Sequence, residues 1–319
     1  MKAWVSDRYG GPEVMQLREV PVPAPGPGAV LVKVHAASVN PADWHVLRGK
    51  PLFARATLGL FRPKHKILGG DVAGTVEALG PGVTGYAVGD AVFGNLLDDG
   101  FGGFAEYVVV PVKVLAHKPE NVSFEDAAAL PMAAVTALEG FRKHGDVRPG
   151  QRVLVNGASG GIGHFAVQIA KAGGAEVTGV TSTRNLDFVR NLGADHVIDY
   201  TTTDFTRTGQ TWDRILDAVG NRSVSDMRRA LAPGGASVIL GFTSMGKHLG
   251  FGLRGGRQMP VLTAHASAEN LRELGAMAAA GTLRPSIERR FPFAEVPAAV
   301  ALLETLRVRG KLAVRPATG

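Results

Sequence analysis

The stretch from Arg152 to Gly163, RVLVNGASGGIG, carries the residues whose types and spacing indicate chemistry most directly. A short apolar strand runs into a glycine-dense turn, and an amphipathic helix opens near Ile162. Such a turn lets backbone N–H groups approach a pyrophosphate, and the helix offers the same anion its positive N-terminus. Ala158 replaces the first glycine of the usual G-x-G-x-x-G, but strand, turn and helix follow in the required order. The pattern predicts a dinucleotide site whose contacts come from Ser159, Gly160, Gly161, Ile162 and Gly163.

The end of the next apolar strand indicates which dinucleotide is bound. An Asp or Glu about 20 residues beyond the glycines would bind the ribose 2′-OH of NAD. This chain has Thr181, Ser182, Thr183 and Arg184 there. Hydroxyl and guanidinium groups accept a 2′-phosphate through charge-assisted hydrogen bonds, whereas a carboxylate would repel it. The sequence therefore favours NADPH, although Arg184 also suits an ordinary solvated surface.

The chain contains no cysteine, which excludes disulfides, cysteine nucleophiles and thiolate metal sites. Its nine histidines are scattered without ligand spacing, so no metal site is expected. A metal site made from Asp71, His35 or His65 is the remaining alternative. His45 titrates in the right range for a proton donor, but its spacing does not place it against a substrate.

The formal charge is +7, from 35 basic and 28 acidic residues, and six Lys or Arg between Pro41 and Lys66 accompany only Asp43. This excess fits an anionic ligand, nonspecific binding to nucleic acid or a membrane surface, or simply a solvated face. No nucleic-acid module is recognisable. No apolar run is long enough to span a membrane and no secretory signal is visible, so the cytoplasm is the expected compartment.

The elements that must position these residues fall into two patterns. From Lys2 to about Asn121, short β-rich runs separated by Pro and Gly predict a largely antiparallel, barrel-like module. Helices and apolar strands then alternate, as in a doubly wound α/β sheet of six parallel strands. We expect domains at 1–122, 123–265 and 266–319, the last folding back onto the first.

Several motifs together resemble the medium-chain dehydrogenase/reductase superfamily, in its zinc-free quinone oxidoreductase, or zeta-crystallin-like, branch. The likeness spans essentially the whole length. It rests on VHAASVNPADW (34–44), GGDVAGTVEALGPGV (69–83), VGDAVFG (88–94), LPMAAVTA (130–137), NGASGGIG (156–163), LGADHVIDY (192–200) and RGKLAV (309–314). The resemblance implies a GroES-like catalytic domain beside a Rossmann domain, commonly in a homodimer.

Zinc enzymes of that superfamily bind the metal through Cys and His ligands. By this resemblance, other residues occupy the ligand positions in this chain: Ser38 stands at the first, Gly70 and Asp71 stand where a His-Glu pair would be, and Met132 stands at the third. A hydroxyl, a glycine and a thioether do not make a zinc site. Alcohol oxidation assisted by zinc is therefore not expected.

The resemblance also implies roles for individual residues. Asn40 would lie beside the nicotinamide and substrate, donating an amide N–H to one of them. Asp43 would orient the nicotinamide ribose or its loop, and capping of the turn at Asn40-Pro41 is the equally weighted alternative. Thr136 would bring its hydroxyl to the nicotinamide, with a bond to its own helix backbone as the alternative. Further cofactor contacts implied are Tyr200, Gly241, Phe242 and Lys311.

The segment from Leu47 to Lys66 is long for a connection between strands, which predicts a substrate lid. Its apolar residues suit a bulky enone and its cations an acidic tail such as a coenzyme A phosphate. A short helix packed on the barrel is the alternative.

The expected activity is hydride transfer from NADPH to a quinone or to the β-carbon of an α,β-unsaturated carbonyl, without a metal. Two alternatives are an enoyl-thioester reductase and a weakly catalytic NADPH-binding protein with a structural or regulatory role.

Overall fold

The computed structural model describes residues 1–241 and 245–316, with the backbone alone at residues 245 and 247–249. In this part of the chain the strands are β1 (Lys2–Val5), β2 (Gln16–Glu19), β3 (Ala29–Val39), β4 (Asp71–Leu79), β5 (Ala91–Asn95), β6 (Tyr107–Pro111), β7 (Leu115–His117), β8 (Arg152–Asn156), β9 (Glu176–Thr181), β10 (His196–Asp199), β11 (Trp212–Asp217), β12 (Leu231–Ile239), β13 (Ile287–Pro292) and β14 (Lys311–Arg315). The α-helices are α1 (Pro41–Arg48), α2 (Arg55–Leu58), α3 (Phe124–Ala129), α4 (Pro131–Arg142), α5 (Gly163–Ala172), α6 (Leu186–Asn191), α7 (Val224–Ala230), α8 (Met245–Arg254), α9 (Ala268–Ala279) and α10 (Val296–Glu304). Short 3-10 helices cover Pro12–Val14, Leu52–Ala54, Val112–Val114, Thr183–Asn185, Phe205–Arg207 and Phe293–Glu295.

The chain divides into two compact units, of which the first comprises Met1–Met132, His265–Gly281 and the described residues from Ile287 on. Its main sheet has the order β13-β14-β3-β4-β5-β7, and β6 also pairs with β3. The pairings are antiparallel except for β13 with β14. The antiparallel β-rich module predicted from the sequence is confirmed.

Strand β3 is the centre of this sheet, and its sequence AVLVKVHAASV explains why. Its β-branched valines favour extended structure and are buried on both faces, since β3 has strands on both edges and cores on both sides. At its C-terminal end, Ser38 pairs with Asp71 of β4 and with Ala313 of β14. Polar residues at the ends of β3 and β4 are thereby brought side by side, next to β14.

The second unit comprises Ala133–Ala264 and Thr282–Ser286. Its sheet is parallel throughout, in the order β10-β9-β8-β11-β12. Largely apolar runs such as RVLVN and EVTGVT form its inner strands, as expected of strands covered on both faces. The predicted fold class of this part of the chain, a doubly wound α/β domain, is confirmed.

The predicted sixth parallel strand is not formed in the described residues. The segment beginning at Pro260 makes only an isolated parallel bridge, between Val261 and Ile239. Pro260 has no N–H to donate, and the contact consists of the Ile239 N–H bonded to Pro260 O and the Leu262 N–H bonded to Ile239 O, both at 3.0 Å. The sheet therefore has five strands in the part of the chain that is described.

The run SFEDAAALPMAAVTALEGFRKHG predicts one long helix over residues 123–145, but the structure divides it into α3 and α4. Ser123 caps α3, accepting the Asp126 N–H at 3.1 Å. Pro131 cannot supply the N–H that would continue α3, but it suits the first position of α4. No helix among the described residues has the length and apolar character that crossing a membrane requires.

Candidate functional site

The glycine-rich turn joins β8 to α5 in the second unit. Gly157 has φ of +84°, a conformation that favours glycine. A Cβ added at Gly163 would lie 2.0 Å from the Gly157 carbonyl oxygen, whereas one at Gly160 would lie 3.4 Å from it. Gly163 thus allows α5 to begin directly against the turn, where the positive end of the helix lies, although the His164 and Ala166 N–H groups already donate to Gly160 O and Ile162 O at 3.0 Å. The arrangement fits a dinucleotide pyrophosphate.

A small hydroxyl cluster lies beside this turn. Ser159 Oγ accepts hydrogen bonds from Thr181 Oγ1 at 2.8 Å and from Asn185 Nδ2 at 3.1 Å. With both acceptor positions of its hydroxyl filled, Ser159 can donate its own proton to a third group. A hydroxyl held as a donor suits a phosphate oxygen.

The ends of β9 and β10 carry the other residues predicted to bind the adenosine phosphate. Ser182 follows β9, and Arg184 is exposed in the short 3-10 turn Thr183–Asn185. Tyr200 is exposed at the end of β10, and its N–H donates to Thr181 O at 3.0 Å. The structure therefore groups these side chains at neighbouring strand ends of one sheet.

A carboxylate also lies at this edge, at the last residue of β10. Asp199 accepts from Thr183 Oγ1 at 2.5 Å and from Thr201 Oγ1 at 2.7 Å. These hydroxyl donors hold the pKa of Asp199 below its usual value. Its charge is thus already satisfied by protein groups.

In the first unit, four strands bring polar side chains to one buried place. Ser38 of β3 pairs with Asp71 of β4, and Asp71 pairs with Asn95 of β5. On the other edge of β3, strand β14 pairs in a register that brings Lys311 opposite Asn40. The side chains of these residues are buried, and so is that of Asp43 in α1. We call Asn40, Asp43, Asp71, Asn95 and Lys311 the buried polar network.

Every hydrogen-bonding group of the Asn40 side chain is engaged within this network. Lys311 Nζ donates to Oδ1 at 2.5 Å, and Nδ2 donates to Asp71 Oδ2 at 2.8 Å and more weakly to Ser38 O at 3.4 Å. The ammonium and the carboxylate together fix which way the amide points. Donation by Asn40 to a nicotinamide or substrate oxygen stays a prediction, and it requires one of these bonds to be given up.

The Asp71 carboxylate has a donor on every side. Its Oδ1 accepts from Asn95 Nδ2 at 2.7 Å and from the Met132 N–H at 3.0 Å, and Lys311 Nζ lies 3.6 Å from its Oδ2. Met132 belongs to the first turn of α4, whose positive end therefore faces the carboxylate. Burial raises the pKa of Asp71 and lowers that of Lys311, and the attraction between the two charges opposes both shifts.

Asp43 closes the N-terminus of α1. Its Oδ2 accepts the Asn40 N–H at 2.7 Å, and its Oδ1 accepts the Gly69 N–H at 3.0 Å. Complete burial raises the pKa of Asp43 to about 7, although both N–H donors favour the carboxylate. Of the roles considered from the sequence, the capping role is present in the structure, and contact with the nicotinamide ribose stays a prediction.

The remaining predicted residues lie in several places. Thr136 is half-buried within α4, and Gly241 comes just after β12, where an added Cβ would lie 2.4 Å from Ala218 O. Phe242 lies outside the described residues. The His45 ring stacks on the Trp44 ring with 3.7 Å between the ring centres, and burial lowers the pKa of His45, which disfavours its charged form.

The residues at the positions of zinc ligands do not fit zinc. Among the described residues no group of three or more His, Cys, Asp or Glu is placed to hold a metal ion. Ser38 and Met132 supply a hydroxyl and a thioether, and Asp71 is already bonded to two amides and faces an ammonium. This donor set lacks the imidazole and thiolate ligands that zinc prefers.

Sequence reasoning missed Asn95 and Asn185 and considered Asp71 only as a metal ligand. Asp71 and Asn95 are polar residues at the first and last positions of otherwise apolar strands, which was the available signal. Asn185 carried no such signal, because its contact with Ser159 depends on how the turn after β9 folds.

Comparison with known proteins adds to these observations. Residues 26–120 match the family model described as the alcohol dehydrogenase GroES-like domain, and residues 192–314 match that of the zinc-binding dehydrogenases. The 2-methylene-furan-3-one reductase of Solanum lycopersicum is 36% identical over 99% of this chain and 79% of its own length. The chloroplastic NADPH-dependent alkenal/one oxidoreductase of Arabidopsis thaliana is 35% identical over 99% and 80%. The solved quinone oxidoreductase of Coxiella burnetii is 33% identical, with a TM-score of 0.89 over 99% of both chains.

The fold, the glycine-rich turn and these similarities lead to one classification. The chain belongs to the medium-chain dehydrogenase/reductase superfamily, in its quinone oxidoreductase branch. The protein is an oxidoreductase of that class.

Proposed function

We propose that this protein transfers a hydride from NADPH to a quinone, or to the β-carbon of an α,β-unsaturated carbonyl, without using a metal ion. The observation that carries the proposal is the buried polar network. At the edge where zinc enzymes of the superfamily bind their metal, Asp71 is bonded to Asn40 and Asn95 and paired with Lys311. Without a Lewis acid, the acceptor must itself be electrophilic, as quinones and enones are.

The choice of NADPH is supported by the exposed groups at the strand ends. Arg184 and Tyr200 are exposed there, Ser182 lies beside them, and the carboxylate of Asp199 is engaged by threonine hydroxyls. A guanidinium and hydroxyls suit a 2′-phosphate dianion. The name of one relative points the same way, since it is called an NADPH-dependent alkenal/one oxidoreductase. Another is called an NAD(P)H oxidoreductase, which supports a nicotinamide cofactor of either kind.

When bound, NADPH supplies the hydride. The chain's own contribution in the second unit is to hold the pyrophosphate at the N-terminus of α5 and to offer the Ser159 hydroxyl as a donor. In the first unit, Lys311 and Asp71 fix the Asn40 amide, and Asp43 fixes the start of α1. The loop is therefore held in place before substrate binds, and donation by Asn40 to a bound ligand exchanges one of its existing hydrogen bonds for another. The proton that completes reduction comes from water, because no exposed acid with a suitable pKa belongs to the network.

Two further parts of the proposal carry over expectations from the sequence analysis. The protein is expected to form a homodimer and to act in the cytoplasm. Some relatives carry names that place them in chloroplasts or mitochondria, so the compartment stays a prediction for this chain.

The proposal is tested by following NADPH oxidation at its near-ultraviolet absorbance, in buffer containing a chelator. The acceptors are a panel of quinones, short and long enones, and enoyl-thioesters, with NADH as the control donor. We expect turnover with quinones or enones that exceeds turnover with NADH and is unchanged by the chelator.

Each other outcome selects an alternative. Activity confined to thioesters identifies an enoyl-thioester reductase. Tight NADPH binding without turnover identifies a nucleotide-binding protein of structural or regulatory role. Loss of activity in chelator that added zinc restores would overturn the metal-free mechanism.

A further inference from the structure

Four large apolar side chains between residues 52 and 61 of the first unit are strongly exposed. The exposed fractions of Leu52, Phe53, Leu60 and Phe61 are 68%, 67%, 63% and 86%. None of them takes part in the hydrogen bonds of the candidate site. Several large apolar side chains exposed on one short segment mark an interaction surface. We call these four residues the apolar patch.

The backbone that carries the patch is anchored at its base. Leu58 packs against the core that includes β3, and the Tyr9 hydroxyl donates to Gly59 O at 2.5 Å. The Lys64 N–H donates to Leu58 O at 2.7 Å, which closes the loop between them. The two apolar side chains at the tip of this loop are therefore held outward by a fixed scaffold.

A second anchor lies on the other side of the patch. The Arg55 guanidinium lies 4.3 Å from the centre of the Tyr9 ring and donates to Gly49 O at 3.1 Å. It ties the short helix α2 to the end of α1. Leu52 and Phe53 lie in the 3-10 helix immediately before α2, and this contact fixes their position.

The charges of the segment that carries the patch have one sign, and in the part of the chain that is described only its terminal cations Arg48 and Lys66 are paired, with Glu304 and Asp7 of other segments. The sequence has no Asp or Glu between Trp44 and Gly70. Lys50, Arg62 and Lys64 are exposed and form no ion pair among the described residues. The partner that complements this surface is apolar in part and negatively charged.

An anionic lipid bilayer fits this description better than a macromolecule does. Four side chains of this size expose roughly 500 Å² together, below the roughly 800 Å² per partner of a stable protein interface. Two of the four are leucines, which offer no ring for a nucleic-acid base to stack on. A bilayer needs no shape complementarity, and it accepts projecting Leu and Phe side chains while its headgroups bind the surrounding cations.

We propose that the apolar patch, with Lys50, Arg62 and Lys64, docks this protein reversibly on an anionic membrane surface. Many quinones and lipid-derived enones are dissolved in bilayers, so docking brings the protein to its proposed substrates. The docking itself does not depend on the proposed function, because it is measured without cofactor or substrate.

The test is co-sedimentation of the full chain with vesicles. One set contains phosphatidylcholine alone, and the other contains phosphatidylcholine with about one-third phosphatidylglycerol, each at low and high salt. We expect binding to the anionic vesicles that weakens with salt, and little binding to the neutral ones. The double variant Leu60→Ser/Phe61→Ser is expected to lower the partition coefficient at least about tenfold.

Leu253→Ser is the matched control, since Leu253 is 84% exposed in α8 of the second unit. It is expected to bind vesicles like the unmodified protein, and circular dichroism checks that all variants are folded. Absence of binding to anionic vesicles overturns the proposal, as does equal loss in the patch and control variants. An unchanged vesicle affinity together with a raised KM for enones in the patch variant would identify the segment as a substrate lid instead.

Discussion

Lys311 Nζ donates to Asn40 Oδ1 at 2.5 Å across 271 residues of chain. The first belongs to β14, near the C-terminus, and the second is the residue that caps α1. Asp71 completes a triangle, since it accepts from the Asn40 amide and lies 3.6 Å from the ammonium. The C-terminal strand thus fixes the orientation of a side chain that the sequence predicts to lie at the reacting centre.

Replacement of Lys311 by Met is expected to destabilise the protein by about 3–5 kcal/mol, because Asp71 remains as a buried charge without its cation. The free energy of unfolding is measured by urea denaturation followed by tryptophan fluorescence. Asp71→Asn combined with Lys311→Met is expected to recover at least half of the loss, since the remaining groups are neutral. If the double variant is less stable than either single variant, the two charges are not coupled in this way.

The buried Asp43 predicts a specific dependence of stability on pH. Its pKa is raised from 3.8 to about 7, so the unfolded chain releases this proton at lower pH than the folded protein does. Asp43 therefore makes its full contribution to the free energy of unfolding below about pH 4. This contribution falls by up to about 4 kcal/mol as the pH rises to about 7.

Asp43→Asn cannot titrate, so its unfolding free energy is expected to lack that decline, although it also loses one acceptor of the cap. Urea denaturation of both proteins at several pH values between about 4 and 8 gives the comparison. Parallel pH profiles in the two proteins would show that Asp43 stays ionised throughout and that its N–H donors outweigh burial.

The sequence was sufficient for local patterns and for the fold. The antiparallel module, the parallel sheet and the glycine-rich turn follow from periodicity and turn residues, and the motifs supplied the family. The prediction of a sixth strand was wrong because an apolar run alone does not show whether enough backbone N–H donors remain for pairing beside Pro260. The helix over 123–145 was predicted too long because Pro131 was not treated as a boundary.

The buried polar network could be predicted only in part. Asn40, Asp43 and Lys311 were found through the resemblance, but their mutual bonds depend on the register of β3 with β4 and β14. Asn95 enters the site only because β5 pairs with β4 at Asp71. Such register is a property of the folded sheet, which a single sequence does not specify for strands so far apart.

Gly163→Ala is expected to weaken NADPH binding at least about tenfold, because its Cβ would lie 2.0 Å from Gly157 O and would push α5 away from the turn. The dissociation constant is measured by fluorescence titration of NADPH. Gly160→Ala is the matched control, since its Cβ would lie 3.4 Å from the same oxygen, and a loss of no more than about threefold is expected. Equal weakening by both substitutions would indicate that the turn adjusts and that Gly163 has no special place in it.

Arg184→Glu reverses the charge at the end of β9 and tests the preference for the 2′-phosphate. NADPH affinity is expected to fall about 10- to 100-fold, because a favourable charge contact becomes a repulsive one, while NADH affinity changes less than about threefold. The ratio of the two dissociation constants is the readout, since a general loss of binding would leave it unchanged.

Arg190→Glu provides the control for overall charge, because Arg190 is exposed in α6 and pairs with Asp187 at 2.7 Å. Both variants change the net charge equally, so a local phosphate contact predicts that only Arg184→Glu alters the NADPH-to-NADH ratio. Long-range attraction of the anionic cofactor predicts similar, salt-dependent losses in both. An unaltered ratio in Arg184→Glu would assign the cofactor preference to other groups at this edge, of which Ser182 and Tyr200 are the first to replace.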